Sequence, residues 1–216
     1  MNLLLIAAAT QRKTNNLNFP NSGPGGIKLL AGTENAGWFG EVPSSELIDT
    51  AALSTLLNFH VGAVLNAAPG WLKFIYDKKI LFIAKRPLRY SLSWNSINSA
   101  SLVYGGRVIT IGGRRFKVRL MLGGNADPAS RNGREWDRLI YPITAERGGA
   151  WASYSSADLI FGTGNGRYTW CIEKIAGNTA NALCRGGASL TSFGSGNPSS
   201  SGNANYGWRP VLELVD

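Results

Sequence analysis

Apolar and polar residues alternate along this chain over short stretches, and they repeat at helical spacing in only two places. Trp38-Phe39-Gly40-Glu41-Val42 reads as a short strand closed by Pro43. Trp71–Tyr76 and Ile80–Ala84 flank Asp77-Lys78-Lys79, a hairpin turn. Tyr90–Trp94 is another strand. The clearest hairpin pairs Val108–Ile111 with Arg114–Met121 across Gly112-Gly113, two residues free to take the positive φ of a primed turn. In its second strand Arg115, Lys117 and Arg119 fall on one side and Arg114, Phe116, Val118 and Leu120 on the other. Such alternation predicts one buried face and one basic, exposed face.

The helical spacings are short. Leu53, Leu56 and Leu57 share a face in a helix predicted over Ala51–Phe59, with Asp49 or Thr50 as its cap. Asn132-Gly133-Arg134-Glu135 has capping-box spacing, and Trp136, Leu139, Ile140 and Ile143 follow at helical intervals. Pro142 limits this second helix to about Gly133–Tyr141. Trp151 to Cys171 reads as loop, strand, loop, strand, and Ser192–Asn205 as a polar loop ahead of a last strand. The fold class expected is α+β, mostly antiparallel β with short helices. No solenoid period is present. Three regions are expected: an N-terminal assembly arm over 1–37, a β-rich segment over 38–94 packed on the main domain, and a main domain over 95–216.

The 216 residues include 27 glycines, and charged residues make up only 16%, which suits short strands and ordered loops better than long helices. Net charge is +9, so an acidic partner or a merely solvated basic surface are both open. Met1-Asn2-Leu3-Leu4-Leu5-Ile6-Ala7-Ala8-Ala9 lacks the cationic start of a signal peptide and is too short to span a bilayer, so synthesis in a cytoplasm without membrane insertion is expected. Cys171 and Cys184 do not make a disulfide framework. They read as buried thiols, with one bridge open if their strands are adjacent. With one histidine, His60, far from both, no metal site is expected. Gly162-Thr163-Gly164-Asn165-Gly166 lacks the lysine and the following helix of a phosphate loop, so no cofactor is expected.

Several segments of the C-terminal half carry a resemblance. Glu135-Trp136, Thr169-Trp170-Cys171-Ile172-Glu173, Arg185-Gly186-Gly187 and Gly207-Trp208-Arg209-Pro210 stand in the order seen in C-type lectin-like domains, over roughly residues 95–216. The form that they resemble is the branch shared by formylglycine-generating enzymes and bacteriophage receptor-binding proteins. The N-terminal segments around Trp38, Trp71 and Lys85-Arg86-Pro87 resemble tailed-phage virion proteins more loosely. The resemblance implies a C-type lectin-like C-terminal domain in a virion protein, a scaffold that displays a variable polar loop. Formylglycine-generating activity needs a cysteine pair after the Arg-Gly-Gly segment. Here Cys184 precedes Arg185 and no cysteine follows, so no catalytic residues are expected.

The aromatic and amide residues near loops are the candidate binding set: Trp151, Tyr154, Phe193, Asn197, Asn203, Asn205 and Tyr206. Rigid rings among Ser, Gly and Asn give contact area together with adaptable hydrogen bonding. Arg115, Lys117 and Arg119 are the candidate basic surface. The expected function is a phage structural protein, tail- or fibre-associated, that binds host-surface glycan or protein or neighbouring virion subunits, located in the virion as a homo-oligomer. The alternatives are a capsid decoration or cement protein, an enzyme of the formylglycine-generating type, and a nucleic-acid-binding protein, nucleic acid being the less expected partner.

Overall fold

The computed structural model describes residues 17–124, 134–175 and 177–215. Residues 1–16 of the expected arm, and Asn132 and Gly133 of the expected capping box, lie outside the described residues. The elements in order are β1 (Ala31–Thr33), β2 (Ala36–Val42), α1 (Thr50–Leu57), β3 (Ala63–Val64), β4 (Trp71–Tyr76), β5 (Lys79–Ala84), β6 (Arg89–Tyr90), α2 (Trp94–Ser99), β7 (Tyr104–Ile111), β8 (Arg114–Arg119), α3 (Ser156–Leu159), β9 (Tyr168–Ile175), β10 (Asn178–Gly186), β11 (Phe193–Pro198), β12 (Tyr206–Trp208) and β13 (Val211–Leu214).

Among the described residues they build two sheets, one ordered β1-β2-β4-β5-β13-β8-β7 and the other β11-β10-β9-β12-β6-β3. Pairing is antiparallel except where β12 runs parallel to β9. The fold is thus mostly antiparallel β with short helices. The first sheet takes strands from both sides of residue 94, with β13 inserted between β5 and β8.

Period-two patterning explains the layers. Along β5, Phe82 and Ala84 enter one core with Leu53, Trp94, Phe116, Trp170 and Trp208. Leu81 and Ile83 enter the other, with Phe74, Trp136, Leu139 and Ile143. The central strands are therefore covered on both faces, which is why β4 reads as a nearly continuous apolar run. Its one charge, Lys73, is fully buried. The Lys73 ammonium donates to Ser22 Oγ (2.9 Å) and to the carbonyls of Gly23, Pro24 and Gly26 (3.3, 2.8 and 2.8 Å). These bonds fasten the Ser22–Gly26 turn to the sheet. Phe19 packs edge-on against Phe39 at 5.4 Å nearby.

Both expected hairpins form. Asp77 and Lys78 take φ of 46° and 64°, and Gly112 and Gly113 take 55° and 79°, so each turn is a two-residue primed turn. Asp49 caps α1 by accepting from Ala52 N–H at 2.8 Å.

Three local expectations are corrected. The strand Tyr90–Trp94 stops at Tyr90, because Ser91 takes φ 57° and Ser93 then caps α2 through Ser96 N–H at 3.0 Å. The second helix is a π-helical turn over Trp136–Ile140, continued as a 3-10 turn over Tyr141–Ile143. Tyr141 N–H bonds back to Trp136 O, and Pro142 has no N–H with which to extend an α-helical ladder. Finally, the polar loop Ser192–Asn205 contains β11, which pairs with β10 from Arg185↔Phe193 to Asn181↔Pro198. Backbone pairing needs no apolar side chain. Gly194 suits this strand because a Cβ there would lie 1.9 Å from Asn197 Nδ2 and 2.8 Å from Cys184 Sγ.

Candidate functional site

The candidate binding residues fall into two groups on different elements. Trp151 and Tyr154, both half-buried, pack on the core face that carries Trp38. Trp151 lies against Gly32 of β1, where a Cβ would come within 2.8 Å of its ring. Tyr154 meets Trp38 edge-on at 6.3 Å. Its hydroxyl donates to Glu41 Oε2 (3.0 Å), which also takes Lys85 Nζ (2.8 Å), and the Lys85 ammonium stands 4.8 Å from the Tyr154 ring centre. Burial, then the charge of Glu41, pushes the Tyr154 phenol up. Glu41 and Lys85 were not among the sequence candidates. Nothing in local spacing links residues 41, 85 and 154.

The second group gathers at one end of the six-stranded sheet. Tyr206 is buried and stacks on Trp170 at 4.4 Å and 15°, with Tyr168 at 5.7 Å beyond it. Its hydroxyl donates to Asn197 Oδ1 at 2.7 Å, and Asn197 Nδ2 donates to Cys184 Sγ at 3.0 Å. Tyr206 and Asn197 thus brace each other. Asn203 is exposed; its Oδ1 accepts the Asn205 N–H at 3.0 Å and shapes the turn. Phe193 lies on β11, and its side chain is outside the described residues. The segment left to act as a loop is Ser199–Asn205. Both its ends are fastened: Asn95 N–H donates to Ser199 O (2.9 Å), Gly166 N–H to Ala204 O (2.8 Å) and Tyr168 N–H to Asn205 O (2.9 Å).

The basic strand is not a uniform surface. Arg115 is exposed and Lys117 half-buried, but Arg119 is buried. Arg119 spans two carboxylates, Glu135 (2.6 and 2.9 Å) and Glu213 (2.8 Å). Burial works against its charge, and the two carboxylates more than restore it. The expectation of an exposed Arg119 fails because β13 and the Glu135 turn cover this end of β8, a long-range arrangement that strand alternation does not reveal. Lys79 and Lys117 also approach Glu213, at 3.4 and 3.7 Å. Tyr104, Lys79 and Lys117 line a cleft of about 250 Å³ over this network.

Comparison with family models, with curated proteins and with solved structures finds no match to this chain. Cys171 and Cys184 are buried and unbridged. Burial pushes the Cys184 thiol up to about 12, and burial followed by the charge of Glu173 raises that of Cys171. A thiol held protonated is a poor nucleophile and metal ligand. Among the described residues, no group of three or more His, Cys, Asp or Glu side chains is placed to hold a metal. No helix among them is long and apolar enough to cross a membrane.

The segments that carried the family resemblance meet in space. Trp170 on β9 faces Cys184 on β10, and Gly207 on β12 pairs with Thr169. Gly187 takes φ 91° and its N–H reaches Arg167 O at 3.0 Å. Trp136, Trp170 and Trp208 are all fully buried, as their apolar settings predict. Arg209, also fully buried, donates to the carbonyls of Ala84, Lys85 and Leu159. Burial, then the charge of Arg86, lowers its guanidinium to about 9.

Proposed function

We propose that this chain is a bacteriophage virion structural protein whose C-terminal half is a domain of C-type lectin-like type. It works by binding, at the tail or fibre, to host-surface glycan or protein or to a neighbouring virion subunit. The observation that carries this reading is the Ser199–Asn205 loop. It is polar, exposes Gly202, Asn203 and Ala204, and is tied at both ends to β9 and α2 by backbone hydrogen bonds. A loop held this way is pre-organised, so ordering it on binding costs little. Several buried charges and both thiols are committed to internal structure: Arg119 to Glu135 and Glu213, Arg185 to Asp137, and Cys171 and Cys184 to the core. That commitment supports recognition over turnover.

Replacing residues 199–205 with a Gly-Ser turn tests the reading. The domain should fold, since the cost of closing a loop changes slowly with its length. Particles carrying the variant should lose adsorption or incorporation, and immunogold should place the wild-type chain on the particle. Wild-type adsorption and assembly by the variant would overturn the proposal.

A further inference from the structure

We propose that β7 is a docking edge for a second copy of this chain, paired antiparallel about a two-fold axis at Ile109. β7 ends the seven-stranded sheet, with β8 on one side and no described strand on the other. The hydrogen-bonding direction of each residue follows from the hairpin. Ile111 faces Arg114 across the two-residue turn, and the pairing continues through Ile109↔Phe116 and Arg107↔Val118. Arg115 directs its backbone the other way, accepting Val215 N–H at 3.1 Å. Strict alternation then turns the N–H and C=O groups of Val108 and Thr110 outward. Neither residue makes a backbone hydrogen bond beyond the sheet among the described residues.

Sheet edges are normally guarded by shortness, charge, proline or a bulge. The other edges are short or interrupted: β1 has three residues, β3 has two, and the β10–β11 register shifts between Ala182 and Cys184. β7 spans eight. It carries no proline or lysine, and its one charge is drawn inward, Arg107 Nη2 donating to Leu57 O at 3.3 Å. A bulge between Tyr104 and Arg107 closes one end of the regular run, and Gly112 closes the other. The usable edge is thus 107–111, and Ile109 is its midpoint.

This midpoint decides the occupant. An antiparallel copy centred on Ile109 sets Val108 against Thr110 of the second copy and Thr110 against its Val108, so that all four outward N–H groups meet outward carbonyls. Arg107 then faces an isoleucine, and no like charges stand opposite. Val108, 45% exposed, gains a β-branched neighbour.

Sedimentation velocity over a concentration series tests the edge. Wild type should move from monomer to dimer as concentration rises. Thr110→Pro removes one outward N–H and no bond to β8, and should abolish the shift. Val108→Lys, at an exposed side chain, should do the same in a protein that folds whether or not the proline variant does. Register is tested by mild oxidation. Opposed non-hydrogen-bonded positions lie about 4.5 Å apart, within disulfide reach, so Ile109→Cys should cross-link two copies. Diagonal positions lie about 7–8 Å apart, so Thr110→Cys should not. A wild-type protein that stays monomeric throughout, or a dimer unchanged by Val108→Lys, would overturn the proposal. The readout is oligomeric state, so it stands or falls separately from the Ser199–Asn205 loop.

Discussion

Glu135→Ala should be among the most destabilising single changes outside the apolar core. The carboxylate is almost fully buried and accepts three hydrogen bonds: Arg119 Nη2 at 2.6 Å, Arg119 Nη1 at 2.9 Å and Leu122 N–H at 2.9 Å. Truncation leaves Arg119 with Glu213 (2.8 Å) and the Leu120 carbonyl (3.0 Å). Removing one partner of a buried ion pair costs about 3–5 kcal/mol, because the other charge stays behind unpaired. Glu213 keeps part of that compensation, which places the loss near the lower end. The orphaned Leu122 amide adds about 1 kcal/mol. A total of about 4–5 kcal/mol is a large share of the roughly 5–15 kcal/mol that holds a domain together. At about 2–4 °C per kcal/mol for a chain of this size, the melting temperature should fall by roughly 8–20 °C.

Glu135→Gln keeps the shape and one oxygen and should cost about half as much. Glu41→Ala removes an exposed partner of Lys85 and should cost under about 1 kcal/mol. Urea unfolding, read from the midpoint at constant slope, ranks the three variants. A Glu135→Ala cost no greater than that of Glu41→Ala would show that the buried network contributes nothing to stability.

Three further outcomes follow from the same geometry. Burial tends to raise the Glu213 carboxyl, but hydrogen bonding and charge from Arg119 hold it below its ordinary value; its contribution is therefore present above the usual carboxylate range and lost as pH falls below about 4.5, and Glu213→Gln should flatten the acid limb of an unfolding-midpoint profile. Burial, then the charge of Arg114, lowers the Lys73 ammonium to about 8, so the unfolded chain binds more protons between about 8 and 10.5 and stability rises with pH across that window; Lys73→Met should lose the rise and speed amide exchange in the Ser22–Gly26 turn, and an unchanged profile would show that Lys73 stays charged. Charge reversal should split the basic strand: Arg115→Glu and Lys117→Glu stay folded by circular dichroism, whereas Arg119→Glu places a third carboxylate beside Glu135 and Glu213 and does not fold, and a folded Arg119→Glu would contradict the buried network.

What the sequence disclosed follows the range of the interaction responsible. The two hairpins and α1 are specified within a few residues, by the Asp77-Lys78 and Gly112-Gly113 turns and by the Asp49 cap, and they were legible. α2 was not, because only Trp94 and Ile97 of its six residues are buried and its cap, Ser93, looks like any other serine in a Ser/Asn-rich stretch. β11 was hidden for a related reason. A strand of Gly, Ser and Asn that is held by its backbone carries no hydropathy signal, and Gly194 tells of its crowding only once Cys184 and Asn197 are in place. For the candidate site, Tyr206 and Asn197 sit close enough in sequence to be nominated together. Glu41, Lys85 and Tyr154 meet across 113 residues, and no local pattern joins them.

The last residues tie the two sheets into one body, which explains why the closing motif is so apolar and so constrained. β12 pairs with β9 and β6 in one sheet, and β13, only two residues later, runs between β5 and β8 in the other. Arg209 and Pro210 make the crossing. Pro210 contributes its carbonyl to Ala84 N–H at 3.1 Å and needs no N–H of its own there. Arg209 has no described carboxylate partner. Its guanidinium instead gathers carbonyls from the end of β5 and from α3 and lies over the Phe161 ring at 4.7 Å. Lysine would present a single point charge with no planar fork for carbonyls on two elements, and leucine would leave those buried oxygens without donors. The charge is retained at a desolvation cost because one side chain holds together three pieces of backbone from distant parts of the chain. Glu213 repeats the logic four residues on, joining β13 to β8 through Arg119 and, through it, to the Glu135 turn. Among the described residues, the charges that lie deepest are joints between elements: Lys73 fastens the Ser22–Gly26 turn to β4, Arg119 joins β8 to β13 and the Glu135 turn, and Arg209 joins the ends of β5 and α3.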